Sequence, residues 1–97
     1  MEIFTPILGY EGLYEISESG IIKSLPKIGR QETILGQSLE KGYWNVRLTK
    51  NAKCKRYRLH RLLMIAFKFR EDYKEMDVRH IDGNPSNNNL DNLAWCT

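Results

Sequence analysis

The chain has 97 residues, 41% of them hydrophobic, with a net charge of +3 at pH 7 and a pI of about 9.0. This length predicts one small domain with a modest core and excludes an enzyme with separate cofactor and substrate domains. The longest apolar run, residues 62–67, is too short to cross a bilayer, and no secretory signal is visible. The two cysteines are too few for a disulfide scaffold, which favours an intracellular protein that does not contact a membrane.

The first forty residues predict a β-hairpin. Residues 13–16 and 21–25 are short segments typical of strands, and the Ser-Glu-Ser-Gly sequence between them is typical of a turn. A loop over residues 26–31 and a strand over residues 33–39 are predicted to follow.

A second hairpin is predicted from residues 43–49 and 55–59, joined by a turn over residues 50–53. Strict alternation in the first of these strands puts its apolar residues on one face and Arg47 on the other. If the two strands pair, Arg47, Arg56 and Arg58 share the polar face of the hairpin.

The last part of the chain predicts a short helix over residues 60–67, because its apolar residues do not alternate with period two. His60, at the start of this helix, is expected to be packed or hydrogen-bonded rather than catalytic. The remaining predicted elements are a connector over 71–75, a strand over 77–80, a polar loop over 81–89 and a strand over 93–96. Together these elements predict an α+β fold of small antiparallel hairpins and a short helix, with no internal domain boundary.

Positive charge is concentrated in the middle of the chain. Residues 41–70 carry ten Lys and Arg residues and no acid, whereas residues 1–40 carry a net charge of −3 and residues 71–97 of −4. Such a block repels itself unless an anion lies nearby. It therefore indicates either a solvated basic face or a surface that binds phosphates, and charge alone leaves both readings open.

His80 is the candidate general base, because it lies between a predicted strand and a loop rich in Asn, Asp and Gly. A neutral imidazole accepts a proton from water near pH 7, and hard divalent cations prefer the oxygens of Asp and Asn. Hydrolysis of a phosphodiester needs both a base and a cation. Asn-rich loops are also ordinary turns, so the residues alone leave catalysis and plain turn structure open.

Three segments carry a family resemblance in chain order. Residues 78–95 contain Arg-His-Ile-Asp-Gly-Asn followed by paired Asn residues and by Asn-Leu-Ala-Trp. This segment resembles the motif of HNH endonucleases, the phage and intron homing type. Residues 57–67 resemble the helix that precedes that motif, and residues 9–25 are similar to the nuclease-associated modular domain fused to such enzymes.

The resemblance implies a ββα-metal core, double-stranded DNA as the substrate, Mg²⁺ or Mn²⁺ as the cofactor and His80 as the general base. It implies one compact unit over residues 1–97, with a nuclease-associated subregion over 1–40 and an HNH-like subregion over 41–97 that lacks the family's final helix. It also places the protein in the cytoplasm of a bacterium or a phage-infected host. The residues that it assigns to shaping the loop are Asp82, Gly83, Asn84 and Asn92.

The sequence departs from the family at the metal ligands. Arg79 stands where the family carries a carboxylate or an amide, and a guanidinium has no acceptor atom and repels a cation. The second ligand belongs to the helix that these residues do not include. Asp77 and Asp82 remain as candidate ligands, and Arg79 is predicted to bind a phosphate instead.

Three functions remain open from the sequence: a metal-dependent DNA endonuclease, a catalytically inactive DNA-binding module, and a phage-encoded module on the same scaffold that binds or inhibits a protein partner. The acid-free block favours contact with DNA. The candidate DNA-contacting residues are Arg47, Lys53, Lys55, Arg56, Arg58, Arg61 and Arg79.

Overall fold

The computed structural model describes residues 3–26, 29 and 31–97, which form three antiparallel sheets around one α-helix. The first sheet contains β1 (Phe4–Pro6), β2 (Tyr14–Ser17), β3 (Ile22–Ser24) and β4 (Thr33–Ile34). The second contains β5 (Ser38–Glu40), β6 (Tyr43–Lys50) and β7 (Lys53–Arg58), and the third contains β8 (Asp77–His80) and β9 (Leu93–Cys96). The helix α1 spans Leu59–Phe67, and short 3₁₀ helices span Tyr73–Glu75 and Leu90–Asn92.

The predicted first hairpin is confirmed as β2 and β3, which pair with Ile16 opposite Ile22. The prediction of a single strand over residues 33–39 is wrong, because this segment divides between two sheets. Its first part pairs with β3, and its last part pairs with β6. Between them the side chain of Gln37 turns back and donates a hydrogen bond of 2.7 Å to the carbonyl oxygen of Gly20, so the segment changes direction.

Two-residue turns fix the register of the second sheet. Lys41 and Gly42 connect β5 to β6 with φ of 52° and 85°, and Asn51 and Ala52 connect β6 to β7 with φ of 53° and 63°. Positive φ at both central residues is the geometry that matches the twist of a tight hairpin. The resulting register sets Arg47 opposite Arg56, as in the predicted hairpin.

The helix α1 joins all three sheets. Its buried residues include Leu59, Leu62 and Leu63, whose spacing directs one helix face into the core. Ile16 from β2 and Leu93 from β9 belong to the same core, so residues on both sides of position 40 share one apolar cluster. The described part of the chain contains no helix with the length and apolar character that a membrane span requires.

The β8–β9 hairpin carries the polar loop and sets the position of His80. His80 is the last residue of β8 and pairs with Leu93, and α1 packs against both strands. Partly buried and exposed residues alternate along β8, so Val78 and His80 share the inner face and Asp77 and Arg79 the outer face. The α+β architecture predicted from the sequence is therefore confirmed.

Candidate imidazole site and nucleic-acid interface

His80 lies against a second imidazole. Its ring centroid is 4.7 Å from that of His60 on α1, and the ring of Tyr43 at the start of β6 lies 6.0 Å from His80 and 5.7 Å from His60. Alternation along the strand over residues 43–49 predicts that Tyr43 shares a face with Arg47. The pairing of the two histidines has no such local signal, because it depends on how α1 packs against β8.

His60 is a buried and uncharged member of this cluster. Its side chain is packed as expected, with 7% of the residue exposed, and its Nδ1 has no hydrogen-bond partner among the described residues. Burial, followed by electrostatic interactions with His80, Arg58 and Arg61, lowers the pKa of His60 to about 4. His60 is therefore neutral at pH 7.

Asn88, in the loop that follows β8, contacts the imidazole of His80 directly. The distance from His80 Nε2 to Asn88 Oδ1 is 2.8 Å. The other amide atom of Asn88, Nδ2, is buried and has no hydrogen-bond partner among the described residues. The sequence does not single out Asn88, because a run of three Asn residues gives no indication of which amide faces the histidine.

The loop after His80 is organised around the carboxylate of Asp82. Its Oδ1 accepts hydrogen bonds from the backbone N–H of Asn84 at 2.8 Å and from Asn92 Nδ2 at 2.9 Å, and its Oδ2 accepts one from Asn87 Nδ2 at 2.9 Å. The backbone N–H of Asp82 donates in turn to Asn92 Oδ1. The hydrogen bond from Asn87 is the largest of the influences that lower the pKa of Asp82, so this carboxylate is ionised at neutral pH. Gly83, with φ of 76°, completes the turn.

Three arginines lie on one face of the β6–β7 hairpin; we call Arg47, Arg56 and Arg58 the arginine face. Arg47 and Arg56 are directly opposite, and Arg58 is opposite Asn45. Arg56 forms an ion pair with Glu40 at 2.6 Å. The guanidinium carbon of Arg58 lies 4.1 Å from the centroid of the Tyr43 ring, so the arginine face continues into the imidazole cluster.

The other candidate DNA-contacting residues lie elsewhere. Lys53 and Lys55 are opposite Lys50 and Leu48, and they therefore project from the other face of the hairpin. Arg61 donates hydrogen bonds of 2.8 and 2.7 Å to the carbonyl oxygens of Met76 and Tyr73, which commits its guanidinium to the segment between α1 and β8. Arg79 is exposed on the outer face of β8, pointing away from the imidazole of His80.

Two family matches together cover most of the chain. Residues 57–97 match the family HNH endonuclease, and residues 2–49 match the NUMOD4 motif. The first match contains α1, His80 and the polar loop, and the second contains the first sheet and most of β6.

The chain is also similar to individual HNH endonucleases. It is 41% identical over 92 residues to the DNA endonuclease I-HmuI of Bacillus phage SP01, covering 94% of this chain and 50% of I-HmuI. It is 40% identical over 82 residues to an uncharacterized HNH endonuclease, L245, of Acanthamoeba polyphaga mimivirus, covering 84% of this chain and 23% of that protein. A solved structure of I-HmuI, described as showing DNA binding and cleavage, superimposes with a TM-score of 0.80 at 35% identity over 98% of this chain and 52% of the other. The chain thus spans about half the length of I-HmuI.

HNH endonucleases typically use a divalent metal ion, and the described residues of this chain do not form a site that fits one. No three His, Cys, Asp or Glu side chains among them lie close enough together to hold a metal. Both oxygens of the Asp82 carboxylate already accept hydrogen bonds within the loop. Asp77 is at the opposite end of β8 from His80, and Arg79 offers no acceptor atom.

The two family matches occur in chain order, they leave few residues unmatched, and the solved HNH endonuclease has the same fold over nearly the whole chain. This chain therefore contains an HNH endonuclease domain over residues 57–97, preceded by a NUMOD4 motif over residues 2–49.

Proposed function

We propose that this chain binds the backbone of double-stranded DNA through the arginine face and presents His80 to a phosphodiester as the general base of an HNH endonuclease. The observation that carries this proposal is the continuous contact from Arg58 through Tyr43 to His80. A phosphate bound to Arg58 would therefore lie on the same surface as the imidazole of His80. Such a juxtaposition of a cation and a base is what phosphodiester hydrolysis requires.

The chemistry assigned to His80 is removal of a proton from water. The water oxygen attacks phosphorus, the bond from phosphorus to one ester oxygen breaks, and the departing oxygen takes a proton from solvent. A positioned general base typically contributes about 10²–10⁴-fold to such a rate.

Within the candidate DNA-contacting residues, the proposal gives different roles to different side chains. Arg47 and Arg58 are the principal phosphate contacts, since they are exposed cations on one face without an ion pair among the described residues. Arg56 contributes to the same face while bound to Glu40. Lys53 and Lys55 add long-range attraction from the other face, and Arg61 acts by fixing the segment after α1.

The relatives support this proposal. The solved I-HmuI structure is described as one of DNA binding and cleavage, and this chain shares its fold. The phage origin of I-HmuI supports action inside a bacterium or a phage-infected host cell. Any Mg²⁺ or Mn²⁺ that takes part would need ligands other than the described residues, so both ions are supplied in the test.

A second candidate is a catalytically inactive DNA-binding module. Two observations favour it. The carboxylate nearest to His80 in sequence, that of Asp82, has both oxygens engaged in the loop, and Arg79 precedes His80. A cation at position 79 attracts a phosphate and repels a metal ion. Both candidates share the arginine face and differ only in cleavage.

One experiment separates these candidates. Supercoiled plasmid is incubated with the wild type and with His80→Ala in the presence of Mg²⁺ or Mn²⁺, and binding of a DNA duplex is measured in parallel over a range of salt concentrations. Nicking that His80→Ala abolishes supports the endonuclease. Binding with a steep dependence on salt but without nicking supports the inactive module. Absence of DNA binding at low salt contradicts both candidates and leaves binding of a protein partner as the remaining function.

A further inference from the structure

We propose that Asn88 is a positioning residue that holds His80 in the tautomer with hydrogen on Nε2 and leaves Nδ1 as the basic nitrogen. This inference rests on the proposed role of His80 as a base and deepens it, because it names the atom that receives the proton.

His80 Nε2 and Asn88 Oδ1 are 2.8 Å apart, within hydrogen-bond distance. An amide oxygen only accepts hydrogen bonds, so Nε2 must carry the hydrogen in this contact. A neutral imidazole has a single N–H, and the lone pair is then on Nδ1. Water bound for deprotonation must therefore approach His80 from the Nδ1 side.

The opposite orientation of the Asn88 amide is the competing arrangement, since the oxygen and nitrogen of an amide have nearly the same shape. In that orientation, Nδ2 of Asn88 would donate a hydrogen bond to Nε2 of His80, which would carry no hydrogen. A base, however, becomes an imidazolium with hydrogen on both nitrogens once it has taken a proton. An amide N–H facing Nε2–H is then repulsive, whereas an amide oxygen accepts from Nε2–H in both protonation states.

The surroundings of both residues resist a change of orientation. The His80 ring is packed against His60 at 4.7 Å, and the residue itself is in the β8–β9 ladder opposite Leu93. The neighbour of Asn88, Asn87, is bound to Asp82 through its side chain and to Asn92 through its carbonyl oxygen. The loop is therefore fixed on the side of the ring where Asn88 makes its contact.

The test reads the tautomer directly, without DNA. The imidazole nitrogens of the full chain, labelled with ¹⁵N, are recorded by NMR at a pH where His80 is neutral, and the spectrum of His80→Gln assigns the signals, since the chain has two histidines. We expect a protonated, pyrrole-like Nε2 and an unprotonated, pyridine-like Nδ1 for His80 in the wild type. The reverse pattern in the wild type overturns the inference whatever the variants do.

Three variants test whether Asn88 sets this tautomer of His80. Asn88→Asp keeps an acceptor oxygen and is expected to keep the wild-type pattern, whereas Asn88→Leu removes it and is expected to give a mixture of tautomers. Asn89→Ala is the matched control, because the side chain of Asn89 bonds to Asn87 and not to His80. An unchanged tautomer in folded Asn88→Leu overturns the role of Asn88. If Asn88→Leu does not fold, Asn88→Ser with its shorter side chain takes its place, and the same two outcomes apply.

Kinetics give a second readout wherever the plasmid is nicked. Asn88→Leu is expected to lower the nicking rate at saturating protein by roughly 10²-fold, the lower range for loss of a general base, while the affinity for DNA is unchanged. Asn88→Asp is expected to restore most of the rate. A chain without nicking activity contradicts the proposed endonuclease but leaves the tautomer measurement valid, so the two failures are distinguishable.

Discussion

The guanidinium of Arg58 lies over the ring of Tyr43, with 4.1 Å between the guanidinium carbon and the ring centroid. Arg58 is the last residue of β7 and Tyr43 the first of β6, and the register of the hairpin sets them diagonally on one face. The same tyrosine ring contacts both histidines. This one cation–π contact joins the arginine face to the imidazole site.

The two faces of the β6–β7 hairpin are predicted to differ in DNA binding. Arg47→Ala combined with Arg58→Ala removes two cations from the arginine face, and Lys53→Ala combined with Lys55→Ala removes two from the other face. We expect the arginine pair to lower the slope of log affinity against log salt by about 2, because each phosphate contact releases about one counterion.

The lysine pair is the matched control for net charge. We expect it to change the slope by less than about 1, because long-range attraction without a close phosphate contact releases few counterions. Equal changes for the two pairs, measured by fluorescence anisotropy of a labelled duplex, would show that the faces are equivalent and that the arginine face is misassigned.

Burial of His60 predicts a loss of stability as the pH falls. Its pKa is about 4 in the folded chain and near the ordinary value of 6.5 in the unfolded chain, so the unfolded state binds more protons between these values. The stability is complete above about pH 6.5 and decreases as the pH falls towards 4. We expect a loss of about 2 kcal/mol over this window, allowing for solvent near the site.

Urea unfolding at several pH values between 4.5 and 7 measures this loss. His60→Phe keeps an aromatic ring beside His80 and removes the titrating group, so the dependence of its unfolding free energy on pH should be weaker by about the same 2 kcal/mol. Identical pH profiles for the wild type and His60→Phe would mean that His60 does not titrate differently in the folded and unfolded chains.

Gly42 is predicted to be required where the β5–β6 turn meets the polar loop. Its φ is 85°, and a β-carbon at this position would lie 2.8 Å from Cγ of Pro85. Gly42→Ala should therefore lower the free energy of unfolding by about 2–3 kcal/mol, from backbone strain and from the contact with Pro85 together.

Gly9→Ala separates these two causes. Gly9 has a nearly equal φ of 86°, but a β-carbon there would have no atom within 4 Å. We expect it to cost about 1–2 kcal/mol, from backbone strain alone. Thermal unfolding distinguishes the two variants, since about 1 kcal/mol corresponds to about 4–8 °C in a domain of this size. Equal melting temperatures would show that the contact with Pro85 does not contribute.

Ala52 is predicted to be a strained residue whose replacement stabilises the chain. It occupies the second position of the β6–β7 turn with φ of 63°, a conformation that glycine adopts without the steric penalty of a β-carbon. Ala52→Gly should raise the melting temperature by about 4–8 °C, corresponding to about 1 kcal/mol. Ala66→Gly, in the last turn of α1, should instead lower it. A lower melting temperature for Ala52→Gly would contradict the strain at this turn.

Much of the fold follows from local sequence patterns. Alternation over residues 43–49 predicted β6 and the face on which Arg47 lies. The turn sequences predicted the β2–β3 and β6–β7 hairpins. The strand over 33–39 was predicted wrongly, because the hydrogen bond from Gln37 to Gly20 joins residues that are 17 positions apart. Local secondary-structure propensity does not predict a hydrogen bond between residues so far apart in sequence.

Some features of the candidate site likewise follow from local sequence, and others depend on tertiary packing. The sequence by itself determined the resemblance to HNH endonucleases, the position of His80 at the end of a strand and the polar loop beside it, because motif spacing and turn chemistry are properties of neighbouring residues. Only the tertiary structure decided that His60 packs on His80, that Asn88 is the amide that contacts it, and that the guanidinium of Arg61 binds backbone carbonyls. These contacts arise when α1 packs against the β8–β9 hairpin, and such long-range packing depends on the whole core rather than on any local pattern.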